Sequence, residues 1–141
     1  MGKKIFRDSI FGDISKDEFY DWFYADGDVE KIIGSDNYFL LIDGQSTVRL
    51  AELLLNVYFE SFGGDIYHER ACDIARLMIS GGVPLEKGCK LLADLGADNL
   101  GGVSRVFMAY HDEIESLGLD VAIGFYGERI LADAKRILNS A

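Results

Sequence analysis

Two histidines, His68 and His111, are the only imidazoles in this 141-residue chain. Asp112 follows His111 directly, and Asp120 and Asp133 come later. Mixed imidazole and carboxylate ligands hold a divalent metal that activates water for hydrolysis. His68, His111, Asp112 and either Asp120 or Asp133 would supply such a set. Helix geometry argues against it. On a helix over 103–117, Asp112 falls opposite the line of Val106 and Tyr110 and faces solvent. Arg105 and His111, which bracket R-V-F-M-A-Y-H, lie six residues and about 120° apart. No serine has a neighbouring histidine, and there is no Gly-x-Ser-x-Gly. The glycine pairs form neither G-x-G-x-x-G nor G-K-[ST]. The expectation is a non-enzymatic protein without catalytic residue, metal or cofactor.

A different chemistry lies in Asp13–Glu30. Seven acids (Asp13, Asp17, Glu18, Asp21, Asp26, Asp28, Glu30) face one base, Lys16. Phe19, Tyr20, Trp22, Phe23 and Tyr24 are interleaved with them. The segment holds much of a formal net charge of −10, from 24 acidic and 14 basic residues. Such a surface repels nucleic acid and anionic membranes and attracts a basic partner. On a helix over 16–25, Phe19, Trp22 and Phe23 share the inward face. Asp17, Tyr20, Asp21 and Tyr24 project together on the outer side. Aromatic rings supply contact area at low entropic cost, and carboxylates pair with a partner's Arg and Lys. The expected partner-binding residues are Asp17, Tyr20, Asp21 and Tyr24, with Asp26 and Asp28 in the turn beside them. The plainer alternative is a surface helix whose rings are all core and whose acids keep it soluble.

Resemblances sharpen these readings. The doublet His111-Asp112 resembles the metal-binding His-Asp pair of helical phosphohydrolases. Arg105 to His111 resembles the Arg-x(4–6)-His element of the helical ribonucleases found in bacterial toxin pairs. Together they imply a metal-dependent phosphohydrolase or a ribonuclease using His111. The acid-and-tyrosine helix is similar instead to bacterial toxin-immunity proteins. The colicin nuclease immunity group carries D-x-x-Y-Y; here Asp17 with Tyr20 and Asp21 with Tyr24 repeat D-x-x-Y without the adjacent tyrosine. The passage Val29–Glu60 resembles, in general style, immunity proteins of contact-dependent inhibition and related polymorphic toxin systems. This resemblance implies a cytoplasmic immunity protein that neutralises a cognate basic toxin, a nuclease, with no direct nucleic-acid contact. A helical adaptor holding a peptide between helices is a further reading.

These side chains must be positioned by helices. Thr47–Phe62 is apolar nearly all round, interrupted by one line of Arg49, Glu52, Asn56 and Glu60 at spacings of three, four and four. That line could border a polar pocket, but is more commonly a wet edge. The stretch predicts a central helix buried on most of its circumference, capped by Ser46 or Thr47 and stopped by Gly63-Gly64. Residues 1–14 suit an arm or a short helix. Ser15 with Glu18 forms a capping box. Asp28 can cap a short helix through Ile33, and Asn37–Ile42 reads as helix after an Asp36 cap. Beyond residue 64, helices alternate with glycine. One carries Cys72, Ala75 and Ile79 in line. The next follows Pro84 and points Leu85, Cys89, Leu92 and Leu95 inward. A third carries Val103, Val106, Phe107, Tyr110, Ile114 and Leu117. The last is capped by Asp120, and its Gly124 and Gly127 would admit a neighbouring helix. Ala75–Asp98 resembles a pair of ankyrin helices, without the Thr-Pro-Leu-His turn. Cys72 and Cys89 are expected reduced and buried. No signal peptide or membrane span is visible. The predicted architecture is all-α: one domain, 1–141, of about six to eight helices, as an irregular bundle or short repeat stack around helix 47–62.

Overall fold

The computed structural model describes residues 2–44 and 49–140. The chain is all-α, with ten helices and no strand among the described residues. They cluster into two compact units, Met1–Gly64 and Asp65–Ala141.

In the first unit, α1 (Gly2–Ile10) turns Phe6 inward, so the N-terminal segment is a helix rather than an arm. α2 (Lys16–Ala25) begins at the expected capping box. The Ser15 N–H donates to Glu18 Oε1 at 3.1 Å, and the Glu18 N–H donates to Ser15 Oγ at 3.0 Å. This satisfies two amides that the helix cannot pair internally. α3 (Val29–Ile33), α4 (Ser35–Asp43) and α5 (Leu50–Phe62) follow. The ambiguous stretch 37–42 is helical, within α4. The expected aspartate caps are absent. Asp28 makes no side-chain cap bond, and Asp36 already lies inside the first turn of α4. Asp28 does hold the N-cap position, but with a helical backbone (φ −103°, ψ −8°) instead of an extended one. At Asp36 the reason is Gly34, whose φ of +87° swings the chain from α3 into α4 across one residue. No room is left for an extended capping residue.

Rings fill this unit. Phe6 meets Phe19 edge-on at 5.2 Å and Phe62 at 5.7 Å, while Phe23 stacks on Tyr38 at 4.8 Å. Each fully buried ring removes enough apolar area from water to contribute roughly 2–3 kcal/mol. Arg7 is buried and donates to the Tyr58 hydroxyl at 3.1 Å. α5 packs with α1, α3 and α4, but it is not buried on most of its circumference. Leu50, Leu54, Val57 and Tyr58 form one inward line, while Phe59 on the far side is 48% exposed. Apolar composition sets how much of a helix could be buried; the number of neighbours sets how much is. The expected Ser46 or Thr47 cap lies outside the described residues, and α5 starts after Arg49 with no side-chain cap bond.

In the second unit, α6 (Ile66–Ser80), α7 (Leu85–Asp94), α9 (Gly102–Leu117) and α10 (Leu119–Asn139) surround their own core, with the one-turn α8 (Ala97–Leu100) between α7 and α9. Small residues of α6, namely Ala71, Cys72 and Ala75, pack with Phe107, Ile130, Ala134 and Ile137. Both cysteines are free and buried, as expected. Asp65 caps α6 by accepting from the Tyr67 and His68 N–H groups. The buried Ser104 hydroxyl donates to the Ala93 carbonyl at 2.9 Å, tying α9 to α7. Gly88 faces Met78 so closely that a Cβ would come within 3.0 Å of three Met78 atoms. Three expectations fail. Ile79 is exposed, and so are Val106 and Leu117 of the α9 series. Gly118, with φ +85°, joins α9 to α10 directly, so Asp120 sits in the first turn instead of capping it. Among the described residues no helix approaches Gly124 or Gly127: a Cβ at Gly124 would meet nothing within 4 Å, and one at Gly127 only Ile123 of its own helix.

Candidate functional site

α2 presents its acids as the spacing predicts and its tyrosines only in part. The capping box fixes where the helix starts, and the fully buried Phe19 and Phe23 fix which way it faces. Asp17 and Asp21, one turn apart, are then exposed, and neither has an ion-pair partner among the described residues. Tyr24 is 51% exposed, its ring beside Phe23 at 5.3 Å. Asp26 is half-buried and accepts the Asp28 N–H at 2.8 Å, forming the turn. Asp28 is exposed, with Lys31 at 3.9 Å. These five remain on the surface side of the unit.

Tyr20 does not. It is 3% exposed and donates its hydroxyl to the Leu41 carbonyl at 2.6 Å. Its phenol is pushed up to about 12, chiefly by burial and secondly by the charge of Tyr24. The projection placed Tyr20 on the outer side with Asp17, Asp21 and Tyr24; this is corrected, because α4 covers that part of the helix. A signal for this was present in the apolar run 37–42, where Tyr38 and Leu41 need a surface to rest on. α2 provides it through Phe23 and Tyr20.

The structure also shows a cleft between α4 and α5, a space of about 420 Å³ lined by Leu40, Asp43, Gly44, Arg49, Glu52, Leu53 and Asn56. Three members of the polar line on α5 border it, and Glu60 does not. The line is therefore a pocket edge over most of its length. Beside it, α4 turns Phe39 and Leu40 to solvent at 58% and 47% exposure.

Each histidine lies beside a residue of its own helix. His68 Nε2 lies 3.6 Å from Cys72 Sγ, and His111 Nε2 lies 3.1 Å from Glu115 Oε1, each pair one turn apart on its own helix. Asp112 and Asp120 are exposed. Asp133 accepts from the Tyr110 hydroxyl at 2.5 Å and from Arg136 Nη1 at 2.9 Å. The Tyr110 phenol is pushed up to about 12, by burial first and then by the bond to Asp133. Arg105 is exposed on α9 and His111 half-buried. Among the described residues no three His, Cys, Asp or Glu side chains come together as a metal-binding group. Likewise, no described helix is long and apolar enough to cross a membrane. A groove of about 380 Å³ runs along α9 and α10, lined by Val103, Val106, Phe107, Ile137 and the Asp133–Arg136 pair among others. No family model, curated protein or solved structure matches the chain.

Proposed function

We propose that this chain is a binding protein that captures a basic partner protein, and that it acts as an immunity protein against a basic toxin, a nuclease. The observation that carries the reading is the pair of exposed carboxylates of Asp17 and Asp21, without an ion-pair partner among the described residues, beside the half-exposed Tyr24. Surface carboxylates on a chain of charge −10 steer a cationic partner, raising association toward about 10⁸ M⁻¹s⁻¹ at low salt. The ring of Tyr24 offers contact area that is already ordered by its neighbours. Asp26 and Asp28 extend the same acidic turn. Tyr20 is excluded as a contact because it is buried.

The test is a binding and rescue assay against the proteins encoded beside this one. A basic domain among them should bind, with an association rate that falls steeply between low and high salt. Asp17→Lys with Asp21→Lys should slow association by at least tenfold and abolish protection of cells expressing that domain. Unchanged binding by the double variant rules out this surface. Absence of any basic neighbour that binds removes the immunity reading. A second reading, a peptide-binding adaptor, draws support from the apolar groove on α9 and α10. Peptides selected on the protein should then lose binding to Val106→Asp.

A further inference from the structure

We infer that the outer face of α4 and the cleft beside it form a docking surface for a basic amphipathic segment of a partner protein. The inference rests on the basic-partner reading above and assigns it a second contact region in the same unit. Four residues on α4 make the face: Asp36, Phe39, Leu40 and Asp43, spaced three, one and three apart along one side of the helix. All four are exposed. Two large apolar side chains are thus bracketed, one turn either way, by carboxylates. Single exposed apolar residues are ordinary, but adjacent ones opening into a cleft are not. Leu40 also lines the cleft, where Leu53 supplies a further apolar wall and Asp43, Glu52 and Asn56 supply acceptors.

Charge selects the occupant. Among the described residues lining the cleft, Asp43 and Glu52 face one guanidinium, Arg49, and Asp36 adds a further exposed carboxylate on the α4 face. A second copy of this chain would bring net charge −10 against the same carboxylates, and nucleic acid or an anionic membrane would be repelled for the same reason. A segment with lysine or arginine beside leucine-sized side chains satisfies both halves. Its apolar residues cover Phe39 and Leu40, and a cation reaches Asp43 and Glu52 across the cleft. The face is also tied to α2. Tyr24, Phe23, Tyr38 and Phe39 form a run of rings with successive centroids at 5.3, 4.8 and 5.8 Å. Its two end members are the exposed ones.

The experiment uses the whole chain, isotope-labelled for amide NMR, titrated with a synthetic lysine–leucine amphipathic peptide and with its glutamate–leucine counterpart. The lysine peptide should shift the amides of Phe39, Leu40, Asp43, Glu52, Leu53 and Asn56 saturably, and the glutamate peptide should not. Phe39→Ser with Leu40→Ser should weaken binding by roughly tenfold or more through lost apolar cover. Asp43→Asn with Glu52→Gln should weaken it by about fivefold, with a flatter salt dependence. These residues are exposed or edge positions, and an unchanged amide spectrum of each free variant verifies folding. Shifts confined to Asp17, Asp21 and Tyr24, or spread evenly over all acidic residues, overturn the inference and leave the basic-partner reading standing. Equal binding of both peptides overturns it as well. A concentration-dependent dimer abolished by Phe39→Ser with Leu40→Ser would assign the face to a second copy and overturn it too. If the lysine peptide binds nowhere on the chain, both readings fall.

Discussion

Tyr20→Phe separates the two roles that a tyrosine on α2 can have. The substitution keeps the ring, which packs edge-on against Phe19 at 5.3 Å and Phe23 at 5.6 Å. It removes only the hydroxyl that donates to the Leu41 carbonyl at 2.6 Å. Nothing replaces that donor, because the site is 3% exposed and water has no ready access. Losing one partner of a buried hydrogen bond costs about 1–3 kcal/mol, more than the bond's net worth, since the remaining group stays desolvated. With a urea dependence of about 2 kcal/mol per molar, the unfolding midpoint should fall by roughly 0.5–1.5 M. Trp22 is the only tryptophan in the chain. It lies on the same helix beside Phe6 and Phe19, so its fluorescence reports this unit. Asp21→Asn is the matched control: an exposed carboxylate without an ion-pair partner among the described residues should change stability by roughly 0.5 kcal/mol or less. Capture of the basic partner should respond in the opposite order, weakened by Asp21→Asn and unchanged by Tyr20→Phe. A Tyr20→Phe protein with an unmoved midpoint would refute the claim that this hydroxyl bridges α2 to α4. A folded Tyr20→Phe protein that fails to bind would return Tyr20 to the contact surface.

Two further outcomes follow from the packing. Gly88→Ala places a Cβ within 3.0 Å of Met78. The overpacking penalty of about 1–3 kcal/mol should outweigh the roughly 1 kcal/mol that alanine gains in a helix. Thermal unfolding should show a net loss that shrinks when Met78→Ala is already present; a stabilised Gly88→Ala protein would contradict the tight approach. The phenols of Tyr20 and Tyr110 sit near 12 instead of 10. Because the folded values are raised, their contribution to stability is complete below pH 10 and is lost as pH climbs from 10 toward 12. Absorbance at 295 nm should show a late-titrating component from Tyr20 and Tyr110, and urea midpoints should fall over the same window. A titration curve with no late component would contradict the burial of these two phenols.

What could be read from the sequence divides by range. The Ser15–Glu18 capping box, the stop at Gly63-Gly64 and the free cysteines were legible because neighbours a few positions away decide them. The aspartate caps at 36 and 120 were misread for an equally local reason: single positive-φ glycines at 34 and 118 make joints too short for a capping residue, while Asp28 holds the cap position with a helical backbone and makes no cap bond. Tyr20 was not legible, since a residue at the edge of an apolar arc is buried or exposed according to which helix arrives there. The same holds for α5. Its composition permits burial all round, yet Phe59 stays exposed, while Arg49, Glu52 and Asn56 border a cleft that only the placement of α4 creates. At Gly124 and Gly127 the sequence offered a close helix contact that no part of the described chain takes up.

The run of rings from Tyr24 through Phe23 and Tyr38 to Phe39 has a spectroscopic consequence. Circulating π electrons shift the resonance of any proton held above or beside a ring, by amounts that change steeply with distance and tilt. Phe23 and Tyr38 are stacked at 4.8 Å with planes 18° apart, and each touches one of the two exposed end rings. A ligand that turns Tyr24 or Phe39 therefore alters the magnetic environment of rings it never contacts. Aromatic proton shifts inside the unit become a label-free gauge of events on its surface. Comparing Phe23 with Tyr38 tells which end of the run was touched.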